Sequence, residues 1–260
     1  MKYYMKTTAI YFSPTGTSRR GAFSIAKALQ PDADTLDITL GEKQYEKEFG
    51  IDEIVVFGVP VYSGRVFRGI KSRLDKIRGN QTRCVITVTY GNRAYDDALL
   101  ELKDIVMEHG FIPIAGAALI GEHTFGKIQV GRPNACDIDE DACFAKKVLD
   151  KLKTGDRTPI QVPGNRPYIH GEAGGKGANF RPLTDESCVN CGLCAQQCPE
   201  GAIDIDNYSK INVSRCISCF RCIRNCPVKA KNMNTAEYKI FTEAFSKQLS
   251  DPRKNEFFIE

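Results

Sequence analysis

The 260-residue sequence predicts an α/β domain built on a doubly wound, five-stranded parallel sheet, followed by a small cysteine-rich α+β domain. Three observations predict it. Strand-like and helix-like patterns alternate through residues 1–153, the composition turns to glycine and proline at 154–186, and eight of the eleven cysteines crowd between Cys188 and Cys226.

The expected strands are Thr7 to Phe12, Thr35 to Leu40, Glu53 to Gly58, Arg83 to Tyr90 and Ile112 to Ile120. Most are short, continuous apolar runs, as parallel strands covered on both faces require. Helices are expected in the gaps. Tyr95, Leu99, Leu102 and Val106 recur at helical spacing from about Tyr95 to His109, with Gly110 as the stop, and Ala145, Val148, Leu149 and Leu152 share a face from about Asp139 to Lys153.

The domain limits that follow are 1–153, a linker at 154–183, a cysteine-rich domain at 184–234 and a helical tail at 235–260. The linker contains Pro163-Gly164-Asn165-Arg166-Pro167 and Gly174-Gly175-Lys176-Gly177, and its length lets it wrap the first domain as an ordered arm. In the tail, Tyr238, Phe241, Phe245 and Leu249 form a stripe that predicts packing against a neighbouring domain.

The formal charge of +4 is spread evenly, with 22 basic and 20 acidic residues in 1–153 and 14 against 12 in the rest. This disfavours nucleic acid as a partner. No stretch approaches the ~18 apolar residues of a membrane helix, and the N-terminus has no leader layout, so the chain is expected in the cytoplasm. Cys84 opens an apolar run and reads as core, with Cys136 and Cys143 outside any motif.

Cys188, Cys191, Cys194 and Cys198-Pro199 form C-x2-C-x2-C-x3-C-P, and Cys216, Cys219, Cys222 and Cys226-Pro227 repeat it 28 residues later. This spacing is that of 4Fe-4S ligands. Zinc pairs need neither the third cysteine nor the Cys-Pro ending. Over about residues 184–234 the chain resembles two-cluster bacterial ferredoxins. The resemblance implies that Cys188, Cys191, Cys194 and Cys226 hold one cluster and that Cys216, Cys219, Cys222 and Cys198 hold the other.

Directly after the first strand, Ser13-Pro14-Thr15-Gly16-Thr17-Ser18 opens a helix. Hydroxyls, backbone N–H groups and the positive end of the helix dipole together suit a phosphate. Two further loops, Pro60-Val61-Tyr62-Ser63-Gly64 and Thr89-Tyr90-Gly91-Asn92-Arg93-Ala94-Tyr95, follow the third and fourth strands, where open α/β sheets bind ligands. The three loops, their order and the five-strand domain resemble flavodoxins over residues 1–153.

That resemblance implies FMN. Ser13, Thr15, Gly16, Thr17 and Ser18 would hold its phosphate, while Pro60, Val61, Tyr62, Ser63, Gly64, Thr89, Tyr90, Gly91, Asn92, Arg93 and Tyr95 would bracket its ring. Tyr62 would cover one ring face, with Tyr95 or Tyr90 near the other. Pro14 and Thr17 depart from the usual phosphate loop. Arg19, Arg20, Arg65, Arg68, Arg93 and Arg132 make the loops unusually basic; of these Arg65 and Arg93 are the expected ring contacts and Arg19, Arg20 and Arg68 the expected surface. His123 follows the fifth strand and is a lesser candidate for the pocket; His109 and His170 carry no assigned role.

Together the two resemblances point to a flavodoxin–ferredoxin fusion of the kind found in anaerobic bacteria and archaea. The implied function is electron transfer between FMN and two 4Fe-4S clusters, with redox proteins as donor and acceptor. The alternatives are a flavin oxidoreductase of a small substrate fed by the clusters, and a redox sensor. No G-x-G-x-x-G fingerprint is present, which favours entry of electrons through the clusters rather than as hydride from a nicotinamide.

Overall fold

The computed structural model describes residues 5–41, 45–171 and 180–260; Gly174-Gly175-Lys176-Gly177 lies outside them. The chain begins with β1 (Thr7–Tyr11), α1 (Thr17–Leu29), β2 (Asp34–Asp37) and β3 (Glu46–Phe49). Then come β4 (Ile54–Tyr62), a short return strand β5 (Arg65–Val66), one helical turn α2 (Ile70–Arg73) and β6 (Lys76–Gly79). β7 (Thr82–Tyr90), α3 (Ala98–Glu108), β8 (Phe111–Ile120) and α4 (Ala135–Thr154) follow.

The main sheet runs β2-β1-β4-β7-β8 with every neighbour parallel. Numbered among themselves these strands have the order 2-1-3-4-5, the flavodoxin-like arrangement of doubly wound sheets. The order reverses beside β1, so the loops after β1 and β4 flank a crevice at the carboxyl ends of the strands.

Alternation along the strands divides the core in two. Ile10, Val55, Phe57, Ile86 and Val88 face Leu99, Leu102 and Val106 of α3 together with Phe67, Ile70 and Leu74. Ala9, Tyr11, Val56 and Val85 face Ala22, Ile25 and Ala26 of α1 and Phe144, Val148 and Leu152 of α4. Each such large apolar side chain stabilises the fold by roughly 1.5–3 kcal/mol on burial.

Several elements differ from the sequence expectation, the antiparallel strands β5 and β11 (Glu256–Phe258) that extend the expected five-stranded sheet among them. Between β4 and β7 there is no full helix. Phe67, Ile70, Leu74 and Ile77 are buried through the single turn α2 and through β6, which pairs in parallel with β3. Helix α3 starts at Ala98 rather than Tyr95, because Asp96 takes φ 41° and the Tyr95 hydroxyl is drawn to Glu256 at 2.7 Å. Helix α4 starts earlier, at Ala135, because Asn134 builds a capping box: its Oδ1 accepts from Cys136 N at 2.9 Å, and Asp137 Oδ2 accepts from Asn134 N at 2.6 Å.

The arm after α4 runs along the first domain. Ile160 is buried and its N–H donates to Pro113 O at 2.9 Å, while the Asp97 carboxylate accepts from Asn165 N and Ile169 N at 2.8 and 2.6 Å. The cysteine-rich region then has β9 (Leu183–Thr184), the four-residue helices α5 (Leu193–Gln196) and α6 (Arg221–Arg224), and β10 (Lys231–Asn232), antiparallel to β9.

Helix α7 (Ala236–Gln248) and β11 (Glu256–Phe258) end the chain. β11 joins the main sheet antiparallel to β8, with Phe257 opposite Ala117. No helix among the described residues is long and apolar enough to cross a membrane.

Candidate functional site

The loop after β1 builds the floor of a cavity. Gly16 precedes α1 at φ 85°, a left-handed conformation that glycine adopts without the strain of a Cβ. Helix α1 has no side-chain cap on Gly16 and no acidic residue in its first turn. Ser13 Oγ instead accepts from Arg19 N at 3.0 Å, and the hydroxyls of Thr15 and Thr17 sit 3.3 Å apart. This first turn thus carries no negative charge and is crowned by hydroxyls, the chemistry an anion needs.

The cavity measures about 270 Å³. Ser13, Thr15, Thr17 and Ser18 line it from the first loop, Pro60, Val61, Tyr62 and Ser63 from the second, and Thr89, Tyr90, Gly91 and Arg93 from the third. The loop after β8 adds Glu122, His123, Thr124 and Phe125. Thr89 also lines it, and its Oγ1 is buried with no hydrogen-bond partner among the described residues. Gly91 is needed because a Cβ would lie 2.3 Å from His123 Cδ2.

Four predicted contacts do not line the cavity: Gly16, Gly64, Asn92 and Tyr95. Gly16 shapes the loop. Asn92 is buried under the C-terminal tail, its Nδ2 donating to Leu249 O and Asp251 O at 2.8 Å each and its Oδ1 accepting from Arg253 N at 2.7 Å. Tyr90 contributes to the wall, but its hydroxyl donates to Lys254 O at 2.9 Å. Burial pushes that phenol up to about 12 and the Glu256 carboxylate adds to the shift.

Arg65, an expected ring contact, is turned away. Its guanidinium makes a two-pronged, buried ion pair with Glu101, at 2.7 Å for both Nε and Nη2, under the ring of Tyr168. Arg132 pairs with Asp137 and Arg93 with Asp96. Of the arginines named from the sequence, Arg93 alone lines the cavity.

The opposite wall comes from outside the first domain. Phe241 and Phe245 of α7, and Ile217 and Ser218 from between Cys216 and Cys219, close the cavity. Phe125 links these pieces, with its ring centroid 5.1 Å from Phe220 and 6.2 Å from Phe241, and Phe245 lies 5.1 Å from His123. The stripe on α7 was legible as an apolar face. Its destination was not, because helical spacing does not name a partner.

His123 is held neutral. Its Nδ1 accepts from Phe125 N at 2.8 Å, and burial lowers the imidazole to about 4, with Arg93 nearby lowering it further. Burial also pushes the Tyr62 phenol well above its ordinary range, and the neighbouring Cys219 sulfur and Glu200 carboxylate add to the shift. Tyr62 therefore lies where the cavity meets the cysteine-rich region.

The eight motif cysteines separate into two sets around two small cavities. Cys188, Cys191, Cys194 and Cys226 line one. Cys198, Cys216, Cys219 and Cys222 line the other, so the fourth cysteine of each motif stands with the three of its partner motif. Among the described residues no three His, Cys, Asp or Glu are placed to hold a single metal ion. Four sulfurs spread around one cavity are instead a donor set for a cubane. Burial raises Cys222 to about 12 and Cys219 further, and a bound cluster would take each sulfur as thiolate.

The second of these cavities faces the sheet. Arg73 Nη2 donates to Glu200 Oε1 at 2.6 Å and to Pro199 O at 2.9 Å, Gly41 N donates to Pro199 O at 3.0 Å, and Arg221 Nη1 donates to Pro14 O at 2.8 Å. Arg224 pairs with Glu122 at 2.9 Å.

Residues 187–230 match the family model described as a 4Fe-4S dicluster domain. The chain joins a flavodoxin-like domain to a 4Fe-4S dicluster domain. The dicluster domain thus follows a doubly wound domain of flavodoxin-like strand order. An uncharacterized protein of Methanocaldococcus jannaschii is 44% identical over 39 residues, which span 15% of this chain and 18% of that protein. Among solved structures, a flavodoxin from the domain Archaea is 14% identical, covering 57% of this chain and 99% of its own, with a TM-score of 0.39. The two-electron reduced flavodoxin of Megasphaera elsdenii is 16% identical, covering 54% and 98%, with a TM-score of 0.33. The fold assignment itself rests on the strand order.

Proposed function

We propose that this protein transfers electrons between redox partner proteins through two 4Fe-4S clusters and one FMN. The observation that carries the proposal is the shared wall: Ile217 and Ser218 line the loop cavity and lie between the cluster ligands Cys216 and Cys219. A flavin in that cavity stands one or two residues from a ligated sulfur. Electrons would then enter at the site of Cys188, Cys191, Cys194 and Cys226, cross to that of Cys198, Cys216, Cys219 and Cys222, and reach the flavin.

The flavin's contribution is to interconvert one-electron and two-electron chemistry. The chain's own residues bind and shield it. Thr15, Thr17 and the α1 N-terminus take the phosphate; Tyr62, Phe125, Phe241 and Phe245 exclude water; Thr89 and His123 offer polar atoms to the ring edge. Closure by Phe241 and Phe245 favours transfer between proteins over turnover of a small substrate. In this proposal the units are 1–153, a linker at 154–183, the cluster domain at 184–234 and a tail at 235–260 that returns to the sheet, in a reducing cytoplasm that keeps the thiols free.

Cofactor content of anaerobically purified protein tests the reading. About eight irons, eight acid-labile sulfides and one FMN per chain are expected. Stoichiometric zinc, four irons or FAD would overturn it.

A further inference from the structure

The arm that follows α4 reaches the second cysteine motif before the chain enters the first. Phe180 packs on α7, its ring centroid 4.9 Å from Phe241 and 5.2 Å from Tyr238, which anchors the chain just before Arg181. The half-buried fork of Arg181 then turns to the loop between Cys216 and Cys219. Its Nη1 donates to Ser218 Oγ at 2.7 Å and its Nη2 to Val213 O at 3.3 Å, while Ser218 Oγ donates to Phe180 O at 2.9 Å. Ser218 is 4% exposed and takes a left-handed φ of 53°. Pro182, the next residue of the arm, lines the cavity of Cys198, Cys216, Cys219 and Cys222 together with Ser218.

The first motif has no counterpart to this contact. Asn190 stands where Ser218 does, at φ 54°, but it is exposed, and among the described residues no arginine is hydrogen-bonded to it. Lys231 does not distinguish the two sites, because its buried charge acts on Cys194 of one and Cys222 of the other. Arg181 does. Burial raises the Cys216 thiol, and against it the Ser218 N–H, the Arg181 charge and the Ser218 hydroxyl all favour a negative sulfur. A positive charge and hydrogen-bond donors beside a cluster sulfur stabilise an added electron, because reduction makes the cluster more negative.

We propose that Arg181, held by Ser218, selectively raises the reduction potential of the second cluster and so draws an electron from the solvent-facing cluster toward the flavin cavity. It is a positioning residue, acting through Ser218 and through its field at Cys216. One electron leaves the first cluster and reduces the second, with no bond made or broken and no proton moved. Burial of the second site opposes this transfer, because it removes water that would stabilise the added charge. A fixed cation and fixed donors supply there what the solvent cannot. Cysteine spacing is the same in both motifs, so the direction comes from where the arm puts its charge. This deepens the proposed function and rests on both sites holding 4Fe-4S clusters.

The test is an anaerobic redox titration of the full chain, clusters loaded, followed by electron paramagnetic resonance in the wild type, Arg181→Gln and Arg181→Lys. Arg181→Gln should lower one of the two cluster steps by about tenfold in its reduction equilibrium, about 59 mV for one electron, with the other step and the iron content unchanged. The step that moves should be the one retained in Cys226→Ala. Arg181→Lys keeps the charge and should restore most of the loss. Both steps falling equally, neither moving, the step retained in Cys198→Ala moving instead, or lysine falling as far as glutamine would each overturn the proposal. If Arg181→Gln fails to load clusters, Ser218→Ala, which removes the hydroxyl that holds the fork, should lower the same step; an unmoved step would overturn it. A wild type without two 4Fe-4S clusters would instead refute the proposed function, whatever Arg181 does.

Discussion

The two cysteine motifs share ligand spacing and differ in what covers them. In the first, Val189 is 62% exposed, and Asn190 and Cys191 are exposed. In the second, the equivalent Ile217 lines the loop cavity, and Ser218 and Phe220 are 4% and 6% exposed. Gly192 starts α5 at φ 75°, and its counterpart Phe220 starts α6 at φ 58°. A left-handed phenylalanine is strained where glycine is not. The ring compensates by packing on Phe125 and Tyr238. Repetition thus supplies the cluster scaffold, and departures from it turn one copy into an interface and leave the other open to solvent.

Removing a shared ligand should break this contrast most severely. In Cys198→Ala the second site loses its fourth sulfur although the first motif carries the change, so iron should fall from about eight to about four and the flavin should lose its cluster donor. Cys226→Ala should empty the first site instead and leave the second reducing the flavin. Iron analysis and electron paramagnetic resonance distinguish these outcomes; loss of the cluster belonging to the mutated motif in either variant would contradict the crossed ligand sets.

The next effect is at the buried ion pair. The Arg73 and Glu200 side chains are 6% and 19% exposed, so Glu200→Gln leaves a buried guanidinium without its counter-charge. Docking should weaken by up to ~3–5 kcal/mol. The half-exposed pair of Arg224 and Glu122 should contribute only ~0–1 kcal/mol. Hydrogen exchange at 198–222 in Glu200→Gln and Arg224→Gln reads the difference, and equal exchange in both would contradict it.

These residues also mark what the sequence could and could not disclose. The sheet was legible because buried strands are continuous apolar runs, and the eight motif cysteines gather in the two sets of four that the ferredoxin resemblance implies. Of the sixteen loop residues named for a flavin, Ser13, Tyr62, Thr89 and nine others line one cavity. Asn92, Tyr95 and Arg65 bind the tail or Glu101, and β11 adds a strand to the sheet. A side chain's donors were visible in the sequence, but competition from groups distant in sequence, Glu101 for Arg65 and the C-terminal tail for Asn92 and Tyr95, was not. Phe241, Phe245 and Ile217 escaped notice as site residues for the same reason.

A smaller difference sharpens the comparison at Phe220. Phe220→Gly relieves the left-handed strain, worth ~1 kcal/mol, but removes ring packing of ~3–5 kcal/mol, so docking should loosen by the difference. Gly192→Ala in the solvent-facing copy should cost the ~1 kcal/mol of backbone strain and a small shift of Tyr208, whose hydroxyl would lie 3.0 Å from the new Cβ. Thermal unfolding of the holoprotein measures both, and a Gly192→Ala cost as large as that of Phe220→Gly would erase the asymmetry.

A separate effect depends on pH and should leave both motifs untouched. Asp141 is buried against α1, and burial raises its carboxyl to about 7, with Asp137 and Glu140 adding to the shift. The unfolded carboxyl titrates near 4. Between about pH 4 and 7 the folded state therefore holds the extra proton, and stability falls as pH rises through that window. Asp141→Asn should unfold like the wild type at pH 4 and at a higher temperature at pH 8. An equal difference at both pH values would show that the effect is not protonation.

The central claim is that docking makes one intramolecular path from clusters to flavin, rather than two carriers on a tether. Photoreducing the clusters anaerobically and following flavin absorbance over a tenfold range of protein concentration tests it most directly. The account predicts a first-order rate that does not change with concentration. A rate proportional to concentration would show that electrons pass between molecules, and would contradict it.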